Sequence, residues 1–211
     1  MKTDDLIDLL AKDAAPQWPF RTLYMAALGC GVVLAGVLFF MLVGLRPNFE
    51  QAAETIRFPL KFLLMLPLAM SAAGVTLAMA QPAADSGIWG WLLVAALALA
   101  AGAIASELYV LPPELWMTNL VGKNAAFCLR TIPMLAAGPL LCLLFVLRRG
   151  APTHPGRTGA WAGLAAGAIG ATWYAAHCPD DSPLFVAVWY SLGMLMMTLA
   201  GYVSGRHLLR W

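Results

Sequence analysis

Polar residues gather in short clusters along this chain, and between them lie six stretches that are almost wholly apolar. A helix needs about 20 apolar residues to cross the hydrocarbon of a bilayer, so each stretch predicts a spanning helix. They run from about Thr22 to Leu45, Phe58 to Ala80, Ile88 to Ser106, Ala125 to Leu147, Thr158 to Ala176 and Leu184 to Gly205. The third and fifth, at about 19 residues, just suffice. Pro67, Pro133 and Pro139 fall inside spans, where neighbouring helices can repair the lost hydrogen bonds, so kinks are expected there and not breaks. The fold expected is all-α: residues 21–211 form a polytopic membrane bundle of six transmembrane helices, preceded by a short amphipathic segment at 1–20.

Six spans put both termini on one side, and the bias of lysine and arginine decides which. With the termini inside, the inner segments hold Lys2, Lys12, Arg21, Arg148, Arg149, Arg157, Arg206 and Arg210, and the outer ones hold Arg46, Arg57, Lys61, Lys123 and Arg130. This majority predicts cytoplasmic termini. The loops are short. Leu45 to Phe58 has the makings of a surface helix, with Glu54 and Arg57 three apart. Glu107 to Asn124 is broken by Pro112 and Pro113 and carries Trp116 as an interfacial anchor. Gly159, Gly163 and Gly167 form a ridge that lets a helix approach closely, either within the bundle or from a second copy in a homodimer.

Composition narrows the class further. Hydrophobic residues make up 61% and charged residues 11%, against about 25% charged in a soluble domain. A net charge of +2 is too small and scattered for nucleic acid. No HExxH, GxSxG or P-loop occurs, and the four cysteines form no CxxC, so neither an enzyme nor a resident cofactor is expected. Lys61, Glu107 and Arg130 sit near the outer ends of their helices, where Lys61 can snorkel and Glu107 can pair with Arg130.

Cys30 and Cys142 lie within apolar runs and read as small hydrophobes. Cys128 begins the fourth span and Cys178 follows the fifth, so both belong to the same, outer side, where disulfides form. In HCPDDSP, His177 and Asp181 stand beside Cys178, and with Cys128 they supply the ligand types for a transient borderline metal ion. The same aspartates with Ser182 and Pro183 equally suit a turn and helix cap. At the N-terminus, Thr3 can cap a helix whose Leu6, Leu9 and Leu10 share a face. Its acidic flank, including Asp5 and Asp8, suits a basic-rimmed protein groove better than anionic lipid.

These residues resemble the NrsF-like negative regulators of extracytoplasmic-function (ECF) sigma factors, six-span inner-membrane proteins of proteobacteria. The likeness rests on MKTDDLIDLLAKDAAP at the start, CLRTIP at 128–133, RRGAPT at 148–153, YAAHCPDDSPLFVAVWYSLG and the closing GRHLLRW, and it covers essentially the whole chain. It implies a membrane anti-sigma factor whose cytoplasmic N-terminal segment holds an ECF sigma factor; the helix-face pattern of that segment makes Leu6, Leu9 and Leu10, rimmed by Asp5 and Asp8, the expected contact. It also implies two outward cysteines, Cys128 and Cys178, that respond to metal or oxidative stress from the periplasm. Rival readings are a small transporter of metal or organic cations, with Arg130, Glu107 and Cys128 on its path, and a membrane thiol oxidoreductase, which the missing CxxC disfavours.

Overall fold

The structure, a computed structural model, describes residues 18–81 and 87–210, which are helical with short connections. In chain order, α1 is Phe20–Leu42, α2 is Phe49–Ala53, α3 is Arg57–Met79 and α4 is Gly87–Val110. A 3-10 turn at Pro113–Leu115 leads into α5, Trp116–Val121, and α6 and α7 are Ala125–Leu147 and Pro155–Ala175. The last helix, α8, spans Pro183–Leu208 and contains one π turn at Val186–Tyr190. The contact segment expected around Asp5, Leu6, Asp8, Leu9 and Leu10 lies outside the described residues.

Five helices, α1, α3, α4, α6 and α8, are long and apolar enough to cross a membrane. The sixth expected span, α7, has 21 residues but is built mainly of glycine and alanine. Its place explains that composition: α7 packs against α3, α6, α8 and α1 at once. A helix surrounded by other helices does not need large apolar side chains to face lipid; it needs small ones that let its neighbours close in. Prolines 67, 133 and 139 sit within continuous helices, as expected.

Successive long helices run antiparallel, which creates two ends. At one, the Ala151 amide donates to the Ala80 carbonyl at 3.1 Å, joining the α6–α7 connection to the end of α3. At the other, the Arg46 amide donates to the Ala176 carbonyl at 3.4 Å, joining the α1–α2 connection to the end of α7. Among the described residues the first end carries Arg21, Arg148, Arg149, Arg157, Arg206 and Arg210 and no carboxylate. The second carries Glu50, Glu54, Glu107, Glu114, Asp180 and Asp181. We refer to them as the arginine-rich and the acidic end.

The glycine ridge of α7 is consumed inside the chain. A Cβ at Gly159 would collide with the Gly201 carbonyl of α8, one at Gly163 with the Met197 carbonyl, and one at Gly167 would come within 3.0 Å of the Met194 Cα. Gly201 and Gly205 of α8 return the same fit, so the two backbones touch along several turns. This corrects the homodimer expectation: Gly159, Gly163 and Gly167 are covered by α8 and offer a second copy no surface. Two boundaries also move. The third span continues to Val110 and so takes in Glu107, and the surface helix in the first loop stops at Ala53, short of Glu54.

Overpacking a tight core typically costs about 1–3 kcal/mol, occasionally more. Gly201→Val should therefore lower the Tm of the detergent-solubilised protein markedly, whereas Gly29→Ala, whose added methyl meets nothing within 4 Å, should leave it unchanged. Equal tolerance of the two would show that the α7–α8 contact is not close.

Candidate functional site at the acidic end

The site is organised by the α7–α8 connection, HCPDDSP. Pro179 cannot continue a helix, so the chain leaves α7 there. It re-enters at Ser182, whose hydroxyl accepts from the Leu184 amide at 3.3 Å, with Pro183 at the first helical position. The cap expected from Ser182 and Pro183 thus forms. The two aspartates between are used differently.

Asp181 turns inward. Its carboxylate lies 2.6 Å from the Lys61 ammonium and 3.0 Å from the Arg46 guanidinium. Lys61 is 1% exposed, so it does not snorkel as expected. Its ammonium also donates to the Cys178 carbonyl at 2.8 Å and stands over the Phe58 ring, 5.4 Å from its centroid. Arg46 is steadied by Asn48, whose side-chain oxygen accepts from Nε at 2.9 Å. Breaking such a buried pair from one side typically costs about 3–5 kcal/mol, because a charge is left uncompensated.

Asp180 turns toward α6. Its carboxylate accepts from the backbone amides of Lys123 and Asn124 at 3.1 and 2.9 Å, satisfying donors at the N-terminus of a helix 56 positions earlier in the chain. Gly122 makes that approach feasible: it has φ +60°, and a Cβ there would meet the Asp180 carboxyl carbon at 2.9 Å. Glu107 completes the network, accepting from Arg57 at 2.9 Å and from the Ser182 hydroxyl at 3.1 Å. The expected Glu107–Arg130 pair is replaced by Glu107–Arg57, and Arg130 is exposed on α6. Three carboxylates therefore tie the α7–α8 loop to the α1–α2 connection, α3, α4 and the start of α6.

Beneath this network lie the two cysteines singled out from the sequence. Cys128 and Cys178 are both fully buried and belong to one apolar cluster with Ile132, Tyr174, Phe185 and Tyr190. Both are free thiols, each within electrostatic reach of Lys61 and Asp180. The rings of Tyr174 and Tyr190 are 5.6 Å apart, and the π turn of α8 carries Tyr190 to this position. Their buried hydroxyls lie beside the Cys178 sulfur. Burial pushes the Cys178 thiol above its ordinary range, only partly offset by Lys61, the Asp180 backbone and Tyr174, while the Asp180 charge adds to the rise. The folded state therefore holds this proton more tightly than the unfolded chain does. The resulting stabilisation is present below the ordinary thiol range and is lost as pH climbs through and above it. A protonated, buried thiol is a poor nucleophile.

The metal set expected from Cys128, His177, Cys178 and Asp181 does not fit this arrangement. The His177 Nδ1 faces the Gly44 carbonyl at 3.0 Å, and Asp181 is already engaged by two cations. Among the described residues no three His, Cys, Asp or Glu side chains converge on a point that could hold an ion. Outside the loop, a polar cavity of about 470 Å³ between Thr55, Arg57, Lys123, Asp180 and Ser182 brings solutes to within reach of the network. Cys30 and Cys142, expected only to fill space, stand side by side where α1 meets α6.

The ion pair makes a double-mutant prediction. Asp181→Asn leaves Lys61 buried without a counter-charge and should lower Tm strongly, whereas adding Lys61→Met should recover part of the loss. A double variant as unstable as the sum of its parts would show that the two residues do not interact.

Similarity to known proteins covers this same chain end to end. The family described as Negative regulator of sigma F matches residues 10–211. The Anti-sigma-F factor NrsF of Caulobacter vibrioides (strain NA1000 / CB15N) is 35% identical, and the Probable anti-sigma-F factor NrsF of Azospira oryzae (strain ATCC BAA-33 / DSM 13638 / PS) is 32% identical, each over 100% of both chains. No solved structure matches. The chain belongs to the NrsF family of anti-sigma factors, negative regulators of sigma F.

Proposed function

We propose that this protein is a six-span anti-sigma factor of a bacterial inner membrane, which holds an ECF sigma factor at the cytoplasmic face through residues 1–20 and releases it when a periplasmic signal reaches Cys128 and Cys178. Membership of the family supports the regulatory, non-enzymatic role. One observation carries the sensing role: two thiols 50 positions apart in the chain come together in one buried cluster under the only ion pair that Lys61 makes among the described residues.

Charge supports an orientation. Basic residues are retained on the cytoplasmic side of short loops, which favours a cytoplasmic arginine-rich end, together with residue 18 and the end of α8, although Arg46, Arg57, Lys61, Lys123 and Arg130 lie at the other end. The acidic end then faces the periplasm, where thiols can be oxidised.

The chemistry resides at the two sulfurs. With the Lys61–Asp181 pair closed, both thiols are buried and Cys178 holds its proton, so the resting protein does not react. Opening of the α7–α8 loop would hydrate them. A hydroperoxide could then take two electrons and two protons from the pair, joining the sulfurs as a disulfide and leaving as an alcohol and water. On this proposal the disulfide favours the open loop, since a modification shifts an equilibrium by its differential stability in the two states.

Two variants separate the halves of this reading. Truncating a leucine anchor at a hot spot costs about 2 kcal/mol, roughly thirtyfold in affinity, so Leu9→Ala with Leu10→Ala should abolish co-purification of the sigma factor and switch its regulon on without stress. Cys128→Ser and Cys178→Ser should each retain repression and lose induction by peroxide, while Cys142→Ala induces normally. Unchanged repression in the leucine variant would place the contact elsewhere, and normal induction in the double serine variant would remove the cysteines from sensing.

A further inference from the structure

The arginine-rich end contains a second built feature, far from the cysteines. Where α7 begins and α8 ends, a cavity of about 410 Å³ is lined by His154, Arg157, Tyr202, Arg206 and Arg210. Among the described residues, all three ion pairs lie at the acidic end, so these exposed arginines line the cavity with no carboxylate paired to them. The glycine contact of α7 with α8 forces them together, since the backbones touch at Gly159 and Gly205. Gly156 gives further room: a Cβ there would meet the Arg206 Cγ at 2.8 Å and the Tyr202 ring at 2.9 Å. Arg206 lies over the Tyr202 ring, 5.7 Å from its centroid, which orients the guanidinium at the cavity.

An apolar track leads into this cavity. Leu195, Leu199 and Tyr202 are exposed and precede Arg206 at spacings of four, three and four, so they share one face of α8. Guanidinium groups bind phosphate oxygens through paired, charge-assisted hydrogen bonds, and basic pockets between helix ends at the cytoplasmic face are suited to anionic headgroups. We infer that this cavity binds an anionic glycerophospholipid, its phosphodiester held by Arg157, Arg206 and Arg210 and an acyl chain laid along Leu195, Leu199 and Tyr202. The joined apolar track favours a lipid over an acidic peptide, which would use the arginines and have no need of the leucines. The inference rests on the membrane reading but not on sigma-factor binding or cysteine sensing.

Native mass spectrometry of the full-length protein in detergent, offered equal dioleoyl phosphatidylglycerol and dioleoyl phosphatidylcholine, provides the test. One phosphatidylglycerol should be retained in preference and should raise Tm. Arg157→Gln with Arg206→Gln should weaken that retention about tenfold or more, while Arg148→Gln with Arg149→Gln, at the same end but outside the cavity, should retain it. Inorganic phosphate in millimolar excess should not displace the lipid. Equal retention of the two lipids, equal loss in both arginine pairs, or displacement by phosphate would overturn the proposal. Lipid binding that appears only after deletion of residues 2–15 would also overturn it, by showing that the chain's own acidic segment occupies the cavity. If the Arg157, Arg206 variant does not fold, the lipid-specific rise in the wild-type Tm and its persistence in the Arg148, Arg149 variant decide the matter.

Discussion

A lysine ammonium shut away from water must find its counter-charge where it stands, and Lys61 finds it in Asp181 across the end of the bundle. That requirement fixes the α7–α8 loop. With Asp181 drawn inward to Lys61 and Arg46, Asp180 falls over the start of α6, Ser182 reaches Glu107, and the Cys178 backbone turns its carbonyl to the same ammonium. On the proposed reading, the burial of both sulfurs depends on this closure. Were Asp181 to leave, the ammonium would need water, and water admitted to Lys61 is admitted beside Cys178.

The loop is attached to the two helices least able to move independently. α7 and α8 touch backbone to backbone along Gly159, Gly163, Gly201 and Gly205, so they form a close pair over their arginine-rich half. The arginine cavity at the far end is formed by the first turn of one and the last turn of the other, next to this contact.

Much of this was legible in the sequence. The apolar runs located the long helices within a few residues, and the fourth, Ala125–Leu147, within none. Parity alone assigned Cys128 and Cys178 to one side, and Ser182 with Pro183 read correctly as a cap. What escaped was pairing. Lys61 at a helix end has the same local sequence whether it snorkels or is buried, and only the fold brings a residue 120 positions later to meet it. Asp180 was read with its own helix, yet it serves another. The ridge at Gly159 announced a close neighbour without naming it, although the glycines at 201 and 205 repeat the spacing and could have identified α8. Glu107 ended the third span in the sequence because a carboxylate is costly in lipid; partnered by Arg57 and Ser182, it allows the helix to continue to Val110.

The central claim is that the Lys61–Asp181 pair keeps the cysteines closed, and it is tested most directly by the rate at which a small maleimide alkylates Cys178. The measurement uses full-length protein carrying Cys30→Ala and Cys142→Ala, below the Tm of each variant. Slow alkylation with Asp181 in place, accelerated at least about tenfold by Asp181→Asn, is the expected result, since tenfold corresponds to only about 1.4 kcal/mol of the several a broken buried pair costs. Equal rates with and without Asp181 would contradict the account, because the thiols would then be closed by packing alone.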